Sequence, residues 1–112
     1  MNRVFLLRHG QTEWNREEMF RGLADIPLNE IGRQQAKDLG QALKTMELQD
    51  PLIVSSPLKR ARETAELAVN FQTDGQLEED RSFLDICFGR WEGKTVTEVQ
   101  EKYPDLYRTW WE

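Results

Sequence analysis

The chain has one cysteine, Cys87, and one histidine, His9, in 112 residues. A lone cysteine cannot close an internal disulfide, and neither residue has the Cys or His neighbours that a zinc site needs. Cys87 is therefore expected as a small packed hydrophobe. Positive charge is also scarce: 15 Lys and Arg stand against 20 Asp and Glu, a net charge of −5. The basic residues form no long block, which argues against nucleic acid or an anionic membrane surface as the main partner. No charged segment leads into a signal-like apolar stretch, and no apolar run approaches the roughly 20 residues that span a bilayer. The chain thus reads as soluble and cytoplasmic, with no membrane partner. No repeat, linker or low-complexity segment marks a boundary, so residues 1–112 read as a single domain.

What is present begins with the apolar run Val4-Phe5-Leu6-Leu7, followed at once by Arg8-His9-Gly10-Gln11-Thr12-Glu13-Trp14-Asn15. A run of that length reads as a buried parallel strand, and open α/β sheets bind ligands at the carboxyl ends of such strands. Gly10 to Pro27 lacks periodicity and reads as a long loop, of the kind that is usually functional or disordered. A helix is expected from the N-cap Asn29, with Gly32, Ala36, Leu39, Gly40 and Leu43 on one face, small enough to lie close to a sheet. Leu52-Ile53-Val54 reads as a second strand buried on both faces, which makes the unit a right-handed parallel crossover. Ser56 and Pro57 suit the start of the next helix, where Lys59 with Glu63 and Arg62 with Glu66 are spaced to pair. Phe71 to Asp80 reads as turn, and Ser82 to Trp91 as irregular with one short strand. Short helices are expected at Thr97–Lys102 and Asp105–Trp111, separated by Pro104.

A neutral imidazole is a nucleophile, and nearby cations favour the neutral form. Arg8 adjoins His9, and Arg60 lies in the first turns of the helix after the second strand. The two strand ends would bring Arg8, His9 and Arg60 around one anion, and guanidinium groups bind two phosphate oxygens at once. Asn15 offers a further amide donor, and Asp85 or Glu92 a carboxyl group for acid and base work. Taken singly, each residue has a plainer reading as a helix charge, cap or turn residue.

Taken together, the segments resemble the histidine phosphatase superfamily, the phosphoglycerate mutase-like proteins, over the whole chain. The resemblance rests on Arg8 to Asn15, Phe20-Arg21-Gly22, Asp25 to Leu28, Gly32 to Ala36, Ser55 to Ala61 with Thr64-Ala65, and Leu84 to Gly93. It implies a three-layer α/β, phosphoglycerate mutase-like parallel-sheet fold, truncated here and incomplete at the C-terminus. It also implies a phosphorylated nucleophile at His9, a phosphate clamp of Arg8, Arg60 and Asn15, substrate contacts at Arg21 and Gly22, and Asp85 as proton donor. The family branch usually has glutamate at that last position, and its members bring a second histidine that this sequence lacks. No metal or other cofactor is implied.

The function that follows is phosphomonoester hydrolysis on a small phosphorylated metabolite. Phosphatase members, including alpha-ribazole phosphatases, are the nearer resemblance. The alternatives are a phosphoglycerate mutase, a non-catalytic phosphate-binding remnant, or an interaction module with an exposed aromatic end. Arg21 and Arg90 hint at a second anionic group on the substrate, and an uncovered sheet edge would favour self-association.

Overall fold

The computed structural model describes residues 3–69 and 76–112. Thr12 opens the short helix α1 (Glu13–Arg16) through a reciprocal box. The Asn15 N–H donates to Thr12 Oγ1 at 3.1 Å while the Thr12 N–H donates to Asn15 Oδ1 at 2.9 Å. The segment read as an aperiodic loop thus begins with a capped helical turn, because a short polar side chain at each end satisfies the other's orphan donor.

Helix α2 (Glu30–Thr45) starts as expected, with Asn29 Oδ1 accepting the Gly32 N–H at 2.8 Å. Gly32, Ala36 and Gly40 are its buried residues. They do not face the sheet: α2 packs on α3 and on the Gly10–Gln11 backbone. A Cβ built on Gly32 would lie 2.1 Å from Gln11 O, and one on Gly10 would lie 2.4 Å from Gly32 O. Two backbones meet here with no room for a side chain.

Strand β1 (Leu52–Ser55), helix α3 (Lys59–Val69) and strand β2 (Gln76–Glu79) form the parallel unit, with Leu52 opposite Gln76 and Ser55 opposite Glu79. The parallel α/β arrangement is as expected, but its strands differ. Val4–Leu7 carries no strand pairing among the described residues. Val4 and Leu6 are 84% and 91% exposed, and Leu7 lines a cavity of about 310 Å³ shared with Ile53 and Val54. An all-apolar strand needs cover on both faces and neighbours on both edges, and here the gap replaces the neighbour. Leu52 and Val54 are likewise exposed, so β1 is not buried on both faces.

Strand β2 falls inside the stretch read as turn, whose residues 71–75 lie outside the described set. Its Gln-Leu-Glu-Glu sequence carries no apolar strand pattern because only Leu77 is even half-buried. Between Ser82 and Trp91 there is no strand; two 3₁₀ turns, Arg81–Phe83 and Gly89–Trp91, take its place. Pro57 precedes α3, whose first turn is closed by Arg62 N–H donating to Leu58 O. Arg62 pairs with Glu66 at 2.7 Å as spaced. Glu63 accepts from Leu28 N–H and Arg33 Nε instead of Lys59.

Helices α4 (Val96–Lys102) and α5 (Pro104–Trp111) follow, the first boxed by Thr95 and Glu98, the second opened by Pro104 at its first turn. They hold the segment before Arg21. Phe20 packs against Phe88, Trp91 and Trp110 with ring centroids 5.0, 5.2 and 5.5 Å away. Its backbone exchanges hydrogen bonds with Gly93 and Lys94. Trp111 and Leu106 remain exposed, as does Cys87, which is not the packed hydrophobe expected; it sits in the open segment between the two 3₁₀ turns.

Candidate active site

Arg60 is the most deeply placed cation, 2% exposed in the first turn of α3. A guanidinium can be buried only if its donors are used. Nη1 donates to Ala24 O at 2.8 Å, and Nη2 to Gly22 O at 2.7 Å and to Asp85 Oδ2 at 3.2 Å. Arg60, Gly22 and Asp85, three residues separated along the chain, are therefore one hydrogen-bonded group. Gly22 has φ +51°, and a Cβ there would lie 2.2 Å from Glu92 Oε1 and 2.7 Å from Ile86 O. Glycine is what lets its carbonyl turn toward Arg60.

The two candidate carboxylates separate cleanly. Glu92 Oε1 accepts the Leu23 N–H at 2.8 Å and the Phe88 N–H at 3.3 Å, tying the Gly22 loop to the Gly89–Trp91 turn. Asp85 stands at the arginine, its other oxygen accepting the Ile86 N–H at 2.7 Å.

His9 is half-buried, and its Nδ1 donates to Gly10 O at 2.7 Å. A carbonyl can only accept, so the neutral ring carries its proton on Nδ1 and its lone pair on Nε2. Burial lowers the imidazole pKa; the Gly10 bond opposes this, and the positive charges of Arg60, Arg21 and Arg8 add to the lowering. His9 borders a cavity of about 250 Å³ with Arg8, Gly10, Gln35, Ala36 and Thr64.

Arg21 follows the Phe20 anchor directly. Its Nε is buried with no hydrogen-bond partner. Burial and the field of Arg60 push its pKa below the usual range, with Asp85 opposing and Arg8 adding to the push. A buried, unmatched guanidinium donor beside two other arginines marks a place for an anion. Arg8 is exposed, and Arg90 is exposed too and takes no part in the group around His9.

Asn15 gives its carbonyl oxygen to the Thr12 N–H and Oγ1–H, at 2.9 and 3.0 Å, which leaves its NH₂ outside the capping box. Sequence reasoning missed the Ala24 carbonyl, a backbone group with no side-chain signature. It also missed Thr64 and Gln35, which bond to the backbone beside His9. Thr64 was readable in principle, since it lies four residues after Arg60 and so on the same helix face.

The lowered imidazole pKa has a thermodynamic consequence. The unfolded chain takes up the proton at a higher pH than the native state, so stability is fully present above about pH 6.5 and falls as pH drops toward the lowered native value. Urea midpoints of wild type and His9→Gln should therefore diverge as pH is lowered through this window, wild type losing more. Parallel curves would mean the ring is not so shielded.

A family model described as the histidine phosphatase superfamily, branch 1, matches residues 4–112. Phosphoserine phosphatase 1 of Hydrogenobacter thermophilus is 41% identical over 110 residues, 98% of this chain and 51% of that protein. A 2,3-bisphosphoglycerate-dependent phosphoglycerate mutase of Bifidobacterium longum is 35% identical over 111 residues, 92% of this chain and 43% of that one. Among solved structures, Bacillus stearothermophilus YhfR superposes with a TM-score of 0.80 at 38% identity, covering 93% of this chain and 50% of its own. The chain spans about half the length of the relatives it matches. No helix of the described residues is long and apolar enough to cross a membrane.

Proposed function

Since the chain belongs to the histidine phosphatase superfamily, whose members similar to it include phosphatases and phosphoglycerate mutases, we propose that it carries the phosphohistidine site of a phosphomonoester hydrolase. The observation that carries this reading is the convergence of Arg8, Arg21 and Arg60 on His9, with Asp85 as the carboxylate at Arg60. Three guanidinium groups around one carboxyl group leave positive charge in excess, which a phosphomonoester anion would balance. The unmatched Arg21 Nε supports the same ligand, supplying a donor for a phosphate oxygen or for a second acidic group on the substrate.

In this reading His9 Nε2 attacks phosphorus and the bond to the ester oxygen breaks. Asp85, entering this step as the carboxylic acid, gives its proton to that leaving oxygen and is left as the carboxylate. Water then attacks the phosphohistidine, giving its proton to Asp85, and phosphate departs with His9 restored. The arginines hold the charge that spreads over the phosphoryl oxygens throughout. Arg60 is already oriented by Gly22 O and Ala24 O, so little reorganisation accompanies binding. Asn15 contributes its NH₂, and Gly22 shapes the lip that the substrate passes.

Hydrolysis of an aryl phosphate by the folded chain in metal-free buffer tests the reading. His9→Gln should abolish it, and Asp85→Asn should lower kcat by roughly a hundredfold to ten-thousandfold. Turnover that survives His9→Gln overturns it. Transfer to a second hydroxyl is the alternative that the mutase relative favours; it would show as a requirement for bisphosphoglycerate priming. Saturable phosphate binding without turnover would leave a binding remnant.

A further inference from the structure

Gly10 sits between His9 and the capped turn, and with no Cβ its two flanking peptide planes are free to rotate unless something outside holds them. Both are held. The plane before Gly10 is fixed by its N–H, which donates to Thr64 Oγ1 on α3 at 3.0 Å. The plane after Gly10 is fixed by the Gln11 N–H, which donates to Gln35 Oε1 on α2 at 2.9 Å. The carbonyl of that second plane is the one that accepts the His9 Nδ1–H at 2.7 Å.

Thr64 is itself pinned, since its hydroxyl donates to Arg60 O at 2.7 Å and the residue is buried. A hydrogen-bonded path therefore runs from the Arg60 backbone through Thr64 and Gly10 to the imidazole, with Gln35 closing it from the opposite helix.

We propose that Thr64 and Gln35 are positioning residues that clamp the two Gly10 peptide planes and thereby hold His9 in the tautomer whose Nε2 faces the phosphate. Neither touches the substrate. The assignment rests on His9 being the nucleophile, but the clamp acts on the ring whether or not the chain turns over. Thr64 couples the ring to the helix that bears Arg60, so nucleophile and clamp keep one relative position. Gln35 sets the orientation of the carbonyl.

Because His9 is the only histidine, ¹⁵N-labelled histidine reports this ring alone. At a pH where the ring is neutral, the wild-type chain should show a single Nδ1–H tautomer. Thr64→Val and Gln35→Met, each still folded by circular dichroism, should show the mixed tautomers of a free imidazole. Thr64→Ser and Gln35→Glu keep an acceptor oxygen and should restore the single form. Where turnover is measurable, the first pair should lower kcat by roughly tenfold to a hundredfold with KM nearly unchanged, as a displaced nucleophile does.

Gln35 is exposed, so Gln35→Met keeps the test open even if Thr64→Val fails to fold. A single Nδ1–H tautomer retained in folded Gln35→Met and Thr64→Val, or in Gln35→Met alone where the other is unfolded, overturns the proposal. A wild type with the single tautomer but no turnover would count against the hydrolase reading and leave the clamp standing.

Discussion

Replacing Arg60 with methionine is expected to destabilise the chain and remove phosphate binding together. Methionine keeps much of the stem but leaves the Gly22 and Ala24 carbonyls without their donor, and each buried unsatisfied group costs about 1–3 kcal/mol. The ion pair with Asp85 adds less, because that carboxylate is 40% exposed and a screened pair is worth about 1 kcal/mol or below. The sum, about 2–7 kcal/mol, is a large share of the 5–15 kcal/mol that holds a typical domain together. Thermal unfolding and phosphate titration measure the two losses. An Arg60→Met chain that is as stable as wild type and still binds phosphate would show that the guanidinium is neither anchor nor clamp.

Gly32→Ala sets two physical effects against each other, and the sign of the result decides between them. Alanine in the first turns of α2 should gain up to about 1 kcal/mol in helix propensity. The new Cβ would lie 2.1 Å from Gln11 O and 2.7 Å from Gln11 N. Both are backbone atoms, so neither can swing aside as a flexible side chain would. Overpacking of that kind costs about 1–3 kcal/mol or more, and the clash should win. The loop that must retreat carries His9, so turnover should fall with stability. A stabilised Gly32→Ala would mean that α2 and the His9 loop are not in close contact.

These two residues also show what the sequence made legible. The place of Arg60 was readable because the helix after β1 could be read from its own spacing, and Arg60 falls in its first turn. Asn29 was readable because a capping side chain acts within its own turn. The use of Gly32 was half legible: its smallness pointed to a close approach, but the partner was the Gly10–Gln11 backbone and not a sheet. Which surface a small residue meets is a tertiary fact that helical spacing does not contain.

Two further misses have related causes. Val4–Leu7 has the composition of a buried strand, but pairing needs a neighbour, and here the run borders a cavity with Ile53 and Val54. Strand β2 is polar because it is largely exposed, so it lacks the apolar pattern by which strands are read. Residue types alone left Asp85 and Glu92 as equal candidates, and only the family resemblance singled out Asp85. Both flank the same aromatic segment, and only the fold shows Glu92 spent on two backbone N–H groups while Asp85 reaches Arg60.

Phosphoryl transfer to His9, as proposed, would leave an adduct on the ring that can be trapped. The folded chain would be mixed with an aryl phosphate, quenched in base, digested and read by mass spectrometry. A phosphate that is stable in base, labile in acid, located on His9 and absent from His9→Gln is the result expected. Release of phosphate by a chain that never carries a phosphoryl group on His9 would overturn the proposed mechanism.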